Sequence, residues 1–409
     1  MTKRFAWHIL VILLAAALIF SSCAPLIPTA EPVTLTFAFP RSDQAYYESL
    51  LPGFQQKNPN ITISFKPFAD GPQEPTDALI IPWALNSDSD FQKAGFLPLD
   101  SFMDQEQGFS AEDFYPGTLD LFKINNEHIA IPSGVDPWVM FYNKDLFDRY
   151  GVPYPQPGWT WSDFLALAQA LRHPDDATYG YANMQTYTDS LLFLYQHGGA
   201  LGDANGNPTL NTPENVEAVE WYTGLFRDYQ VAPTLQQAQS DFGFARGAVY
   251  LGQVGGKVGM FMGQLSGRGG QPNDPVQWKF NWGVATLPRD QQNFTAAFYE
   301  GIGILKQSQH PEAAWKWVYY LSKQPHNRLV PARVSLANSP EYAQLVGDSI
   351  AQVGRDAMMN AQLVSNQNFG RFGGFLDTYF QAIDTLVNGD GIVQEELDKA
   401  QAEAEGQTQ

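Results

Sequence analysis

From Val33 to Phe39 the chain alternates β-branched and apolar residues (VTLTFAF) and then meets Pro40, the pattern of a strand running into a loop. The spacing of Tyr46, Leu50 and Phe54 predicts a helix over Ser42–Lys57, with Ser42 as its N-cap and a kink at Pro52-Gly53. Ile61–Phe65 (ITISF) reads as a second strand and Ala78–Ile81 (ALII) as a short third. Strands alternating with helices argue for an α/β architecture with mainly parallel sheets. Only Lys66–Thr76 separates the second and third strands, and it carries Pro67, Pro72 and Pro75, so no ordinary crossover helix fits there.

Further along, Thr160-x-x-Asp163 forms a capping box ahead of Phe164, Leu167, Ala168 and Leu171, and His173-Pro174 stops that helix. Thr212-Pro213 supplies N-cap and first helical position for a helix with Val216, Val219, Tyr222 and Phe226 on one face. Pro311 opens another, with Ala314, Trp317, Val318 and Leu321 inward. The Ala/Glu/Gln-rich stretch Glu395–Gln409 has helical propensity.

The N-terminus has a different pattern. Lys3 and Arg4 precede an unbroken apolar run from Ile9 to Phe20, followed by Ser21, Ser22 and Cys23. The run is shorter than the roughly 20 residues a spanning helix needs, and it suits the apolar region of a signal peptide. With the only cysteine directly after the small-residue pair, the segment resembles a bacterial lipoprotein signal, in which Cys23 becomes the lipidated first residue. The alternative is an ordinary secretory signal beside a stray thiol. Residues 24–32, proline-rich and nearly uncharged, read as a tether.

At 409 residues the chain is long enough for two compact units. A net charge of −19, with 43 acidic against 24 basic residues, leaves no clustered basic surface for nucleic acid. Catalytic motifs are missing as well. There is no His-Glu-x-x-His and no Gly-x-Ser-x-Gly, and Gly256-Lys257 is followed by Val258 where a phosphate loop needs Ser or Thr. Asp203, Asn205 and Asn207 lack the twelfth-position glutamate of a calcium loop and read as a polar turn. The sequence therefore predicts neither metal nor cofactor. A two-carboxylate glycosidase stays open, because its carboxylates need not be adjacent in sequence.

Ile129-Ala-Ile-Pro-Ser-Gly-Val-Asp-Pro-Trp138 and Phe141-Tyr-Asn-Lys-Asp-Leu-Phe147 closely resemble the hinge region of family 1 extracellular solute-binding proteins, the maltose- and glycerol-phosphate-binding type. Phe54-Gln-Gln-Lys-Asn-Pro59, Gly158-Trp-Thr-Trp161, Gly198-Gly199, Pro208-Thr-Leu-Asn-Thr-Pro-Glu214, Gly256-Lys-Val-Gly-Met260 and His310-Pro-Glu-Ala-Ala-Trp315 follow in the expected order. The resemblance implies the type II periplasmic-binding-protein fold, two α/β lobes of mainly parallel sheet flanked by helices, with a ligand cleft between them. Residues 1–22 would be the signal and 23–32 the tether. Residues 33–133 and 300–338 would form the first lobe, and 134–299 and 339–409 the second. The crossings would fall near Ser133–Pro137, Ala297–Gly301 and Val334–Pro340.

The function implied is a non-enzymatic, extracytoplasmic receptor, anchored to the cell membrane through Cys23, monomeric, delivering a carbohydrate to the permease subunits of an ABC importer. A glycerol-phosphate ester is the alternative ligand. A sugar site needs aromatic faces for the ring and planar polar groups for its hydroxyls. Asp136, at the hinge, is the expected hydroxyl acceptor, in a cleft open to solvent, since an acid between Val135 and Pro137 is hard to place in a core. Trp83, beside Asn86, is a ring-stacking position or lobe core. Trp138 stands between cleft and hinge packing. Phe298, Tyr299 and Glu300, at the second crossing, would face the cleft, and Tyr187, Gln264, Arg333, Arg371 and Phe372 match cleft-lining loops. Arg41 contacts ligand or simply solvates its loop. Trp159, Trp161, Trp315 and Trp317 are assigned to packing.

Overall fold

The computed structural model describes residues 31–68, 76–82, 95–182, 187–243, 248–270, 277–363 and 366–407, with the backbone alone at 82, 248, 251 and 366–374. Its strands are β1 (Val33–Pro40), β2 (Ile61–Phe68), β3 (Ala78–Pro82), β4 (Lys123–Ile124), β5 (Glu127–His128), β6 (Ala130–Asn143), β7 (Tyr179–Ala182), β8 (Val258–Gln264), β9 (Trp282–Ala285), β10 (Thr295–Ile304), β11 (Val330–Pro331) and β12 (Ala361–Leu363). The main sheet runs β2-β1-β3-β10-β6-β8-β7, with β9 and β11 also paired to β6 and β12 to β10. The pairs β1/β2, β1/β3, β7/β8 and β10/β12 are parallel. Parallel neighbours need a crossover, and the helix Gln44–Lys57 supplies the one between β1 and β2. Helices pack against an α/β sheet, as the alternation predicts.

Two long strands join the halves of the sheet. β6 is buried at every position but Ser133, the mark of a strand covered on both faces. It pairs antiparallel with β10 over Ala130–Pro137 and with β8 over Trp138–Tyr142. It also feeds three apolar clusters. Ile131 packs with Leu35, Phe37, Phe54 and Trp317. Val135 packs with Phe261, Tyr299 and Val330. Trp138 packs with Phe164, Phe193, Tyr222 and Tyr379.

Most helix signals translate directly. Thr160 and Asp163 close the capping box of Trp161–Ala170, and Thr212 caps Pro213–Arg227. Pro311 opens Pro311–Leu321, whose Ala314, Trp317, Val318 and Leu321 are buried. The four tryptophans assigned to packing are all buried. The last helix runs Val393–Gln407 and buries Val393, Leu397, Ala400 and Ala404.

Two local expectations need correction. The first helix begins at Gln44 with Asp43 at its N-cap, because Arg41–Asp43 form a 3-10 turn in place of a Ser42 cap. Pro52 lies inside that helix. β2 extends beyond Phe65, through Pro67 to Phe68. Pro67 has no N–H to give a ladder, and it is tolerated because β2 is the outermost strand. Most of the proline-rich connection, residues 69–75, lies outside the described residues. Its exit is pinned by Asp77, whose Oδ2 accepts the Thr36 backbone N–H and Oγ1 hydroxyl, each at 2.8 Å, and whose Oδ1 accepts the Ser308 hydroxyl at 2.6 Å.

Candidate functional site

The crossing of β6 and β10 brings charged side chains together. Glu300 lies across from Gly134 and Phe298 across from Asp136, and the ladder then slips between Glu300 and Gly301. Gly301 is required there, since a Cβ would stand 2.4 Å from the Phe122 ring. Ser133 sits at this irregularity and donates its hydroxyl to the Glu300 carbonyl at 3.1 Å. Directly paired residues share a face of the sheet, so Asp136, Phe298 and Glu300 look the same way.

Arg328 closes the cluster from the coil before β11. One guanidinium nitrogen reaches Glu300 Oε1 at 2.7 Å and Asp43 Oδ2 at 3.4 Å. Asp136 Oδ1 accepts the backbone N–H of Ser266 at 2.9 Å. Arg268, two residues on, donates to the carbonyls of Leu265 and Arg328 at 2.9 and 3.0 Å, and to that of Asn327. His326 Nδ1 accepts the Arg328 backbone N–H at 3.0 Å, and its ring lies 4.1 Å from that of Tyr46. Its buried Nε2 has no partner among the described residues. β6 and β10, the turns that follow β1 and β8, and the coil before β11 thus each place a polar group at one junction.

Burial governs the electrostatics. Asp136 is only 5% exposed, and burial pushes its carboxyl from 3.8 up to about 6. The Ser266 hydrogen bonds and the Arg328 charge pull it back, while the Glu300 charge adds to the rise. Glu300 is raised by burial, opposed by Arg328. Burial works against the Arg328 charge, but Glu300 and Asp43 more than offset it and hold the guanidinium firmly protonated. Burial, then the charges of Arg328 and Arg268, push the His326 imidazole well below its usual value. Several titratable groups shifted by burial and by one another at a strand junction are what a binding site produces. Chemically the cluster offers carboxylate acceptors and guanidinium donors beside an aromatic ring.

The Asp136 shift predicts a pH signature. Between about pH 4 and 6 the folded state keeps a proton that the unfolded chain releases, so stability falls as pH rises through that window. The full effect is about 3 kcal/mol above pH 6. Asp136→Asn removes this penalty. In urea titrations from pH 4 to 7, the stability of Asp136→Asn relative to wild type should climb with pH and level off near neutrality. A difference that stays constant over that range refutes the assignment.

Of the expected site residues, the structure brings Asp136 and Glu300 together. Asp136 is buried at the junction and not open to solvent. Arg41 is exposed on the turn beside Asp43. Gln264 lies across from Trp138, which is 5% exposed and belongs to the third apolar cluster. Tyr299 faces away from Glu300 by strand alternation, buried edge-on to Phe122 at 5.4 Å. Tyr187 also lies elsewhere, its hydroxyl donated to Asp384 at 3.0 Å and approached by the Asn388 amide at 3.0 Å. Arg333 turns into the first cluster. Its guanidinium bonds the Ser322 carbonyl at 3.1 Å and Asp113 at 3.3 Å, with the Phe114 ring 4.4 Å away. Burial in those contacts removes it from the junction. Arg371 and Phe372 fall where only backbone is described, in the helix Asn366–Asn388. Cys23, Trp83 and Asn86 lie outside the described residues.

Asp43, Ser266, Arg268, His326 and Arg328 were missed. Only Asp43 had a sequence signal, an acid at the start of a helix after a strand. The others come from the 3-10 turn after β8 and the coil before β11, which the topology folds onto β6. The turn at Asp203 is filled by its own loop, since its carboxylate accepts the backbone N–H groups of Asn205 and Asn207 at 2.8 Å each and the Asn207 amide at 2.9 Å. Among the described residues no group of His, Cys, Asp and Glu could hold a metal ion.

Comparison with known proteins gives a consistent picture. A family profile described as bacterial extracellular solute-binding protein matches residues 40–325. A putative binding protein of Brucella abortus is 25% identical over 300 residues, 68% of each chain. Among solved structures, the fold is similar to the ABC substrate-binding protein Lmo0181 of Listeria monocytogenes in complex with cycloalternan. The TM-score is 0.71 at 20% identity, covering 92% of this chain and 99% of the other. It is also similar to an ABC transporter solute-binding protein of Agrobacterium vitis with bound D-mannitol, with TM-score 0.62 at 19% identity, covering 92% and 98%.

Proposed function

The chain belongs to the bacterial extracellular solute-binding protein family, and we propose that it captures a neutral carbohydrate or polyol outside the cytoplasm and delivers it to the permease subunits of an ABC importer. The observation that carries this reading is the buried cluster at the β6/β10 crossing. Its carboxylates are acceptors suited to hydroxyl groups, placed where two strands bridge the halves of the sheet. The bound molecules of two structural neighbours, cycloalternan and D-mannitol, are neutral and hydroxyl-rich.

The same cluster weighs against a glycerol-phosphate ester. A phosphate needs cationic donors turned toward it. Arg328 is engaged by Glu300 and Asp43, and three donor contacts of Arg268 go to carbonyls. In the proposed mechanism, residues 33–133 with 300–338 close as one lobe on 134–299 with 339–409. The closed form is the state the permease reads. The receptor acts as a monomer.

A thermal-shift screen of mono-, di- and oligosaccharides beside glycerol phosphate tests the ligand class. A ligand that binds only the native state raises the melting temperature by mass action. A shift with a neutral saccharide or polyol and none with the phosphate ester is expected. The reverse would overturn the reading. Absence of turnover with chromogenic glycosides separates the receptor from a glycosidase.

Cys23 is proposed as the lipid attachment site, on the charged, apolar and small-residue sequence that precedes it. Cys23→Ser should move the protein from the membrane to the soluble fraction. A processed variant that stays on the membrane would sink the anchor.

A further inference from the structure

A cavity adjoins the charged cluster along the same sheet face. It has a volume of about 380 Å³ and lies between the helix Thr188–Gln196, the loop at 200–204, β6, β10 and β12. Its walls include Trp138, Leu192, Tyr195, Phe294, Phe298 and Leu376. Phe298 is the ladder partner of Asp136, and Trp138 lies two residues along β6 from Asp136. Directly opposed residues in a sheet have Cβ atoms about 5 Å apart, so one wall of the cavity is a direct neighbour of the carboxylate.

The lining is poorly suited to a second sugar ring. The polar side chains on the wall are Thr188, Tyr195, Asp203 and Gln362, and of these Asp203 is consumed by its own turn. The Tyr195 hydroxyl is bonded to the backbone of Leu201. A ring with hydroxyls on all sides would leave several of them without partners, each costing binding. Flat apolar surface is abundant by contrast. Tyr195 and Phe294 lie 5.1 Å apart with their planes 31° from parallel. The space is ample for one aromatic ring, since an apolar cavity of about 150 Å³ already accepts benzene.

We propose that this cavity is a subsite for an aromatic aglycone, so that the solute is an aryl glycoside whose sugar is held by the charged cluster next door. The inference rests on the carbohydrate reading of that cluster. The sugar hydroxyls reach Asp136, and the ring passes over Phe298 into the space bounded by Trp138 and Leu192.

The test compares methyl and phenyl glycosides of glucose, galactose, mannose and arabinose by calorimetry. For whichever sugar binds, the phenyl glycoside should be at least about tenfold tighter, the order that burial of one ring supplies. Ala204 lies on the cavity wall in an exposed loop, so Ala204→Trp should fill the mouth without disturbing a core. That variant should lose the phenyl advantage, keep the methyl-glycoside affinity and melt with wild type. Equal affinity for methyl and phenyl forms overturns the subsite and leaves the carbohydrate reading intact. An advantage that survives in Ala204→Trp overturns it too.

Toluene reads the cavity without any sugar, and saturating toluene should raise the melting temperature of wild type but not of Ala204→Trp. If no glycoside binds and toluene still distinguishes the two proteins, the carbohydrate reading falls while the aromatic cavity stands. If toluene stabilises neither protein or both equally, the cavity proposal falls.

Discussion

Arg328→Ala is expected to destabilise the protein by about 2–4 kcal/mol at neutral pH, the largest loss of any single change at the junction. Removing one member of a buried ion pair costs about 3–5 kcal/mol because the partner charge is left buried alone. Here the side chain of Arg328 is 26% exposed, and those of Glu300 and Asp43 are 13% and 5% exposed, so solvent screens part of that cost. The loss should depend on pH. Without the guanidinium, the Glu300 carboxyl shifts further up, and protonation relieves the uncompensated charge. The penalty measured in urea should therefore shrink between pH 7 and pH 4. Arg328→Lys keeps the charge but loses the planar guanidinium, one nitrogen of which reaches both carboxylates, and it should fall between wild type and alanine. A loss below about 1 kcal/mol, unchanged with pH, would show that the pair is solvated and that Asp43 and Glu300 are not held by it.

The legible and illegible parts of this molecule differ in the range of the forces that make them. The capping box at Thr160, the Thr212-Pro213 start and the Pro311 start depend on contacts within one turn of chain, and each element begins where its residues predict. β6 was reached only through its resemblance to a hinge segment, and Asp136 lies on it opposite Phe298 of β10. The first helix start was misplaced because Ser42 and Asp43 are both good caps, and the 3-10 turn after Pro40 decided between them.

Tyr299 and Glu300 show where local reading stops. Treating Phe298, Tyr299 and Glu300 as one cleft-facing run ignored the two-residue period of a strand, which sends Tyr299 into core and Glu300 to the charged face. Arg333 and Arg328 differ by five positions and are equally plain in sequence. Only the pairing of Val330–Pro331 with Val135–Gly134 decides which of them meets Glu300. Long-range pairing of that kind has no local signature, and four of the five missed residues depend on it.

Asp136→Ala should weaken binding of the saccharide or polyol found by thermal shift by roughly 10–150-fold, the range for a hydrogen bond to a charged group worth about 1.5–3 kcal/mol. Asp136→Asn keeps an acceptor oxygen but not the charge, and it should lie between. The pH dependence distinguishes a ligand contact from a packing role. A hydroxyl donor prefers the ionised carboxylate, so ligand pulls the Asp136 pKa down and binding releases a proton. Affinity in wild type should then rise with pH through about 6 and level off above it. The Asn variant, with nothing to titrate at this position, should lose that rise. Because Asp136 is buried, the melting temperature of each unliganded variant must be read beside its calorimetric affinity. If the alanine variant melts earlier but binds with wild-type affinity and the same pH profile, Asp136 serves the junction alone. The hydroxyl contacts then belong to other residues, with Glu300, Asp43 and Trp83 next to be replaced.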